Sequence, residues 1–279
     1  MNEHSKNQSS LRQYCKVLTI AGSDSGGGAG IQADLKTFSA IGCYGMSVIT
    51  ALTAQNTQGV KGIHAVPPAF AVEQIEAVLT DIGADAIKIG MLYSAELIEA
   101  VARELKKQGA RKIVLDPVMV AQSGDKLLQD DAIEAIKENL MPLADVVTPN
   151  IPEASVLTGR RLNRREDIES AAETLAQHGS RSILIKGGHG DESKSTDLLF
   201  LARESRFVSL EADRIETRNN HGTGCTLSSA IASYMAKGMD IEEAVQKAKA
   251  FMNHAIAAGA TYKIGHGHGP VHHFFQWWQ

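Results

Sequence analysis

The segment Arg218-Asn219-Asn220-His221-Gly222-Thr223-Gly224-Cys225-Thr226-Leu227-Ser228-Ser229-Ala230 sets two glycines, a capping threonine and a lone cysteine directly before an apolar run. Leu227, Ala230, Ile231 and Tyr234 recur at helical spacing, so a helix is expected to begin near Gly224 with Thr223 as its cap. The first N–H groups of a helix lack intrahelical partners and sit at the positive end of its dipole, an arrangement that favours phosphate. Cys225 stands in that field, which predicts a lowered thiol pKa and suits it to take a proton from a substrate hydroxyl. The pattern reads as an anion hole beside a base. The same residues also fit a glycine-shaped turn with a small buried cysteine.

Other side chains with chemical potential fall at the ends of apolar runs. Asp34 borders the stripe Ile31, Leu35, Phe38, so it faces inward and is expected to have a partner. Gln55 follows the run Met46 to Leu52; its amide offers an acceptor and two donors, matching the ring nitrogen and amino group of an aminopyrimidine. Asp116 closes the run Lys112 to Leu115. Asn150 and Glu153 lie three apart around Pro152, a spacing that supplies hard oxygen ligands for magnesium and equally a helix cap. Lys186 ends the run Ser182 to Ile185, where it can neutralise phosphate charge.

These residues need elements to carry them. Lys16 to Ala21 reads as a buried strand entering the loop Gly22 to Gly30, and a helix follows. Strands over Met46 to Leu52, Ala86 to Ile89, Lys112 to Leu115, Asp145 to Thr148 and Ser182 to Ile185 alternate with helices. Those helices run from Pro67-Pro68 to about Ile82, Ala95 to Lys107, near Asp130 to Leu140, and Arg165 to His178. Two shorter strands, Thr196 to Arg203 and Ser205 to Thr217, lead into the cysteine motif, and a last amphipathic helix includes Ile241 to Ala255. Such alternation predicts an α/β fold with a central, mostly parallel sheet flanked by helices on both faces. Ligand contacts then belong at the carboxyl ends of the strands. Ala121 to Asp125 is small and polar enough to form a lid or a plain loop.

Gly28-Ala29-Gly30-Ile31-Gln32-Ala33 also matches a dinucleotide-binding turn, so a nicotinamide enzyme is a rival reading. That fold calls for an acidic residue about 20 positions further on, and no Asp or Glu lies between Asp34 and Glu73.

Over 279 residues the chain is 43% hydrophobic and 22% charged with a net charge of −4, a globular composition without the basic cluster of a nucleic-acid surface. Cys15, Cys43 and Cys225 lack metal-ligand spacing and imply a reducing compartment, read as the cytoplasm. No apolar run reaches the roughly 20 residues of a membrane helix. Residues 1–14 read as a disordered polar tail ahead of a single domain over 15–279. The His-rich tail from Gly265 can hold metal or simply pack.

Several separated blocks resemble the hydroxymethylpyrimidine and phosphomethylpyrimidine kinases of the ribokinase-like superfamily. They are Leu18 to Asp24, Gly27 to Thr37, Ala54 to Thr57, Lys88-Ile89-Gly90-Met91-Leu92, Thr148-Pro149-Asn150, Lys186 to His189, the Cys225 motif and Gly269 to Phe274. The resemblance implies a ribokinase-like fold, ATP and magnesium, a small-molecule substrate and a homodimer. It implies two successive phosphorylations in thiamine biosynthesis, hydroxymethylpyrimidine to its monophosphate and then to the diphosphate. It assigns Gly22, Asp34, Gln55 and Met91 to the pyrimidine. Asn150, Lys186, Gly222, Thr223 and Gly224 fall to ATP and its phosphates, Glu153 and Asp116 to the metal, and Cys225 to the base. A pyridoxal kinase of the same fold is the nearest rival, because pyridoxal also carries a hydroxymethyl group on a six-membered ring; Gln55 argues for the aminopyrimidine. A nucleotide-binding regulatory protein without turnover is the rival of another class.

Overall fold

The computed structural model describes residues 12–119, 131–187 and 193–278. In chain order it runs β1 (Lys16–Asp24), α1 (Gly30–Ile41), β2 (Tyr44–Asn56), β3 (Gly59–Ala65), α2 (Pro68–Asp81), β4 (Ala86–Ile89), α3 (Ala95–Lys107) and β5 (Ile113–Leu115). It continues through α4 (Ala132–Ala135), β6 (Val146–Val147), α5 (Ile151–Thr158), α6 (Arg165–Ala176), β7 (Ser182–Ile185), β8 (Lys194–Leu201), β9 (Arg206–Asp213), α7 (Thr223–Ala236) and α8 (Ile241–Gly259). The expected lid Ala121 to Asp125, Gly188, His189 and most of the polar tail lie outside the described residues.

The nine strands of the described residues join one sheet in the order β3-β2-β1-β4-β5-β6-β7-β8-β9. Those from β2 to β7 are parallel, while β3, β8 and β9 pair antiparallel. One face packs against α2, α3, α4, α5 and α6 through residues such as Ile75, Val101, Leu157 and Leu175. The other packs against α1, α7 and α8 through Phe38, Ile231 and Phe251. The expected α/β architecture with helices on both faces is therefore present.

Two elements depart from the sequence expectation. β3 was not expected: it is an outer strand with both faces at least part-exposed, so it lacks the alternating burial that marks a strand in sequence. The helix near Asp130 to Leu140 is a short α4 that widens into a π turn over Ile136–Leu140, close to Pro142, which has no N–H to continue the ladder.

The carboxyl-terminal segment packs against α7 and α8. His272 and His273 are buried, whereas His266 and His268 are exposed. No group of three or more metal-ligating side chains occurs among the described residues. His273 Nε2 lies 3.0 Å from the Thr226 hydroxyl, and burial, reinforced by the charge of Lys36, pushes its imidazole down to about 3. The folded protein thus refuses a proton that the unfolded chain accepts below its ordinary value near 6.5. Stability should be undiminished above that pH and fall as pH drops toward 3, by roughly 3 kcal/mol at pH 4.5 from this residue. Urea unfolding at pH 7 and 4.5 checks it: His273→Gln should lose that increment, and an unchanged acid sensitivity would refute it.

Candidate active site

Parallel strands deliver their carboxyl ends to one edge of the sheet, and β1 has neighbours on both sides that follow it in sequence, β2 and β4. Strand order reverses there, which opens the crevice where such sheets bind ligands. Five strand ends meet at this crevice with Gly22, Lys88, Asp116, Asn150 and Lys186 lining one cavity of about 1170 Å3. The motif Gly222-Thr223-Gly224-Cys225 at the start of α7 forms another wall.

α7 begins at Thr223, one residue before the expected start, and its cap is Gly222 at φ 79°, without a side-chain cap. That left-handed backbone and the Gly28 carbonyl, which a Cβ at Gly222 would overlap, both require glycine. Gly224 and Cys225 line the cavity, and their N–H groups find no acceptor among the described residues. The lowered Cys225 pKa expected from the sequence is not found. Burial pushes the thiol up to about 11; Lys88 and the Gly30 N–H oppose that rise, while Asp34 and Asp116 add to it. Desolvating a thiolate and facing it with two carboxylates outweighs the helix terminus.

Asp34 also departs from expectation. It has no exposed surface and does not line the cavity. Both of its oxygens are engaged from three elements: Lys88 Nζ at 2.9 and 3.0 Å, the Thr19 hydroxyl at 2.6 Å and the Ser229 hydroxyl at 2.7 Å. The inward orientation and the partner read from the sequence are there; the partner is Lys88, and Asp34 lies beneath the cavity without lining it. Although burial disfavours its charge, Asp34 holds the Lys88 ammonium above its ordinary value, and the lysine stays protonated.

A second pair lies beside the first. Lys186 Nζ is 2.8 Å from Asp116 Oδ1 and 3.9 Å from Glu153 Oε2. Asp116 further accepts from the hydroxyls of Thr148 at 3.1 Å and Ser228 at 3.2 Å. Burial works against its ionisation, yet Lys186, Lys88 and the Thr148 hydrogen bond hold the carboxyl below the usual range. Glu153 goes the other way: burial, with Asp116 adding to it against Lys186, pushes it up to about 7. Asn150 and Glu153 form a capping box at α5, 2.8 and 2.7 Å, so the cap reading of this pair holds, and both still line the cavity. Asp116 and Glu153 offer the hard oxygens of a Mg2+ ion that keeps several waters, and a carboxyl poised near neutrality gives up its proton readily to a cation.

On the β2 side, Gln55 Oε1 accepts from Thr53 at 3.1 Å, which orients the amide. Met91 borders the same wall, and a Cβ on Gly22 would lie 3.1 Å from its sulfur. Asp24 consumes the N–H groups of Gly26, Gly28 and Ala29 at 2.8 to 3.0 Å and pairs with His221 Nε2 at 2.9 Å. These loop amides are therefore occupied and cannot cradle a pyrophosphate, which removes the basis for the dinucleotide reading.

Sequence reasoning missed Lys88 as more than a motif residue, and missed the cavity wall formed by Ile215, Thr217, Leu227, Met252, Asn253 and Ile256. Helical periodicity assigned Leu227 and Met252 to the core, and no local pattern separates a core methionine from one facing a cavity. This apolar lobe extends the cavity well beyond the needs of a single six-membered ring.

The family model for phosphomethylpyrimidine kinase matches residues 24–272. A hydroxymethylpyrimidine/phosphomethylpyrimidine kinase of Rhizobium meliloti (strain 1021) is 53% identical over 264 residues, covering 94% of this chain and 98% of its own. The crystal structure of phosphomethylpyrimidine kinase from Clostridium difficile 630 aligns at 47% identity and a TM-score of 0.77, over 86% of this chain and 99% of that one. An ADP complex of Bacillus subtilis pyridoxal kinase aligns at 36% identity and a TM-score of 0.87, over 95% and 99%. These matches establish that the chain belongs to the phosphomethylpyrimidine kinase family of phosphotransferases.

Proposed function

We propose that the protein transfers the γ-phosphoryl group of ATP to 4-amino-5-hydroxymethyl-2-methylpyrimidine, then phosphorylates that monophosphate to the diphosphate, in thiamine biosynthesis. The observation that carries this reading is one cavity that joins an amide able to pair with an aminopyrimidine, Gln55, to the open N–H groups of Gly224 and Cys225. Gly22, Gln55 and Met91 hold the ring; Asp34 acts from below through Lys88. ATP fits the remaining volume, with the apolar lobe around Met252 and Ile256 for its base and Asn150, Gly222, Thr223 and Gly224 near its phosphates. Asp116 and Glu153 would hold Mg2+, which would neutralise phosphate charge when bound. Lys186 and the α7 amides hold the charge that develops on the transferred group.

Cys225 is the proton acceptor for the attacking hydroxyl. With its thiol near 11, only a small fraction is ionised at rest near neutral pH. The thiol must first release its proton to solvent, and only that ionised fraction can act: the thiolate takes the hydroxyl proton as the oxygen–phosphorus bond forms and ADP leaves, regenerating the thiol.

The structural likeness to pyridoxal kinases favours one second reading, pyridoxal as the acceptor. Incubation with ATP and magnesium, offering the pyrimidine and pyridoxal separately, should yield mono- and diphosphorylated pyrimidine with little pyridoxal phosphate, resolved by mass. Pyridoxal phosphate as the main product would keep the fold and overturn the acceptor. A homodimer in the cytoplasm completes the proposal on the strength of the family alone, and the mass in solution decides the first part. No helix among the described residues is long and apolar enough to cross a membrane.

A further inference from the structure

Lys88 is a fully buried lysine at the carboxyl end of β4. Its side chain points to the α7 face of the sheet, the face of Ala86, two residues earlier on the same strand. Space for it exists because residue 90 is glycine: a Cβ there would come within 2.7 Å of Lys88 Nζ. Thr19 is its direct neighbour across β1 and β4, and both bond the same Asp34 carboxylate from α1. The fourth member of this network, Ser229, lies four residues after Cys225 and therefore one helical turn deeper on the same face of α7. Lys88 also reaches the cavity that Cys225 lines. One buried ammonium thus lies under the first turn of α7, tied through Asp34 to the helix that carries the cysteine.

We propose that Lys88, held in place by Asp34, is a positioning residue that acts on Cys225 through its charge: it supplies the positive charge against which the sulfur gives up its proton. This rests on the reading of Cys225 as proton acceptor. The mechanism above leaves Lys88 no contact with the transferred group, and a buried charge retained without such contact is explained if it acts on a neighbour. The charged groups around Cys225 are Lys88 from β4, Asp34 from α1, Asp116 after β5 and, beyond Asp116, Lys186 after β7. Lys88 is the strongest influence among them that favours the thiolate, and Asp34 the strongest charge against it.

The test reads the sulfur and not turnover. Alkylation of Cys225 by iodoacetamide, followed by peptide mass from pH 7 to 11, reports its thiolate fraction whether or not that residue acts as a base. In the native protein the rate should climb with pH toward about 11. Lys88→Met should slow alkylation at pH 9 about tenfold, the equivalent of one pKa unit, while Lys88→Arg, which keeps the charge, should stay near the native profile. A purely structural role predicts the opposite for Lys88→Met, because a loosened helix exposes the thiol and speeds the reaction. Alkylation of Lys88→Met as fast as native or faster would overturn the proposal. If that variant does not fold, Lys88→Met combined with Asp34→Asn removes both buried charges. Slower alkylation is still expected there, since the lysine outweighs the aspartate at the sulfur, and an unchanged or faster rate again overturns it. Failure of the base reading would instead appear as undiminished phosphorylation by Cys225→Ala with the alkylation results intact.

Discussion

Cys225→Ala is expected to slow formation of the monophosphate by at least roughly 10²-fold, within the usual range for loss of a positioned base, and to slow the second phosphorylation far less. The difference follows from the nucleophile. A hydroxymethyl group must lose a proton as it attacks, whereas a phosphate already ionised near neutral pH brings its own negative charge. Single-turnover measurements on each acceptor separate the steps, and equal losses in both would show that Cys225 serves the transferred phosphoryl group or the packing of α7. The pH profile carries a second signature. Because burial leads the causes that push the thiol up to about 11, the first phosphorylation should accelerate with rising pH above neutrality in the native protein. Cys225→Ala should flatten that rise.

The second large effect concerns stability. Lys88→Met removes the cation from a pair with no exposed surface on either side chain, 2.9 Å apart. Asp34 keeps hydrogen bonds from Thr19 and Ser229, but its charge would stay buried and uncompensated. Breaking one side of such a pair costs about 3–5 kcal/mol, a large part of the 5–15 kcal/mol that typically holds a domain together. Removing both charges together, Lys88→Met with Asp34→Asn, should recover most of that loss, since the penalty lies in the orphaned charge and not in the missing contact. Denaturant unfolding of the native protein, the single and the double variant measures this. A single variant as stable as the native protein would mean that the two groups do not need each other.

Much of this architecture is legible without coordinates. Ala95 to Lys107 is a helix over the expected residues because its apolar stripe, its Ser94 cap and its terminal lysines agree. Ala86 to Ile89 and Ser182 to Ile185 are strands as read, being short apolar runs between helices. β3 was missed because an exposed outer strand carries no burial pattern. Leu227 and Met252 read as ordinary core positions for the converse reason: a cavity wall and a core wall look alike in sequence.

The sequence by itself determined the alternation of strand and helix, and with it the row Gly22, Asp116, Asn150 and Lys186 at one edge of a sheet. It also determined the glycine-opened start of α7. Both are local properties, written in spacing and residue type. Only the tertiary structure decided the electrostatics: that Asp34 is bound to Lys88, 54 residues away, that Lys186 stands between Asp116 and Glu153, and that the Cys225 thiol is raised and not lowered. Desolvation and Coulomb interactions depend on which groups meet in space and how much water is left between them, and no stretch of sequence records that.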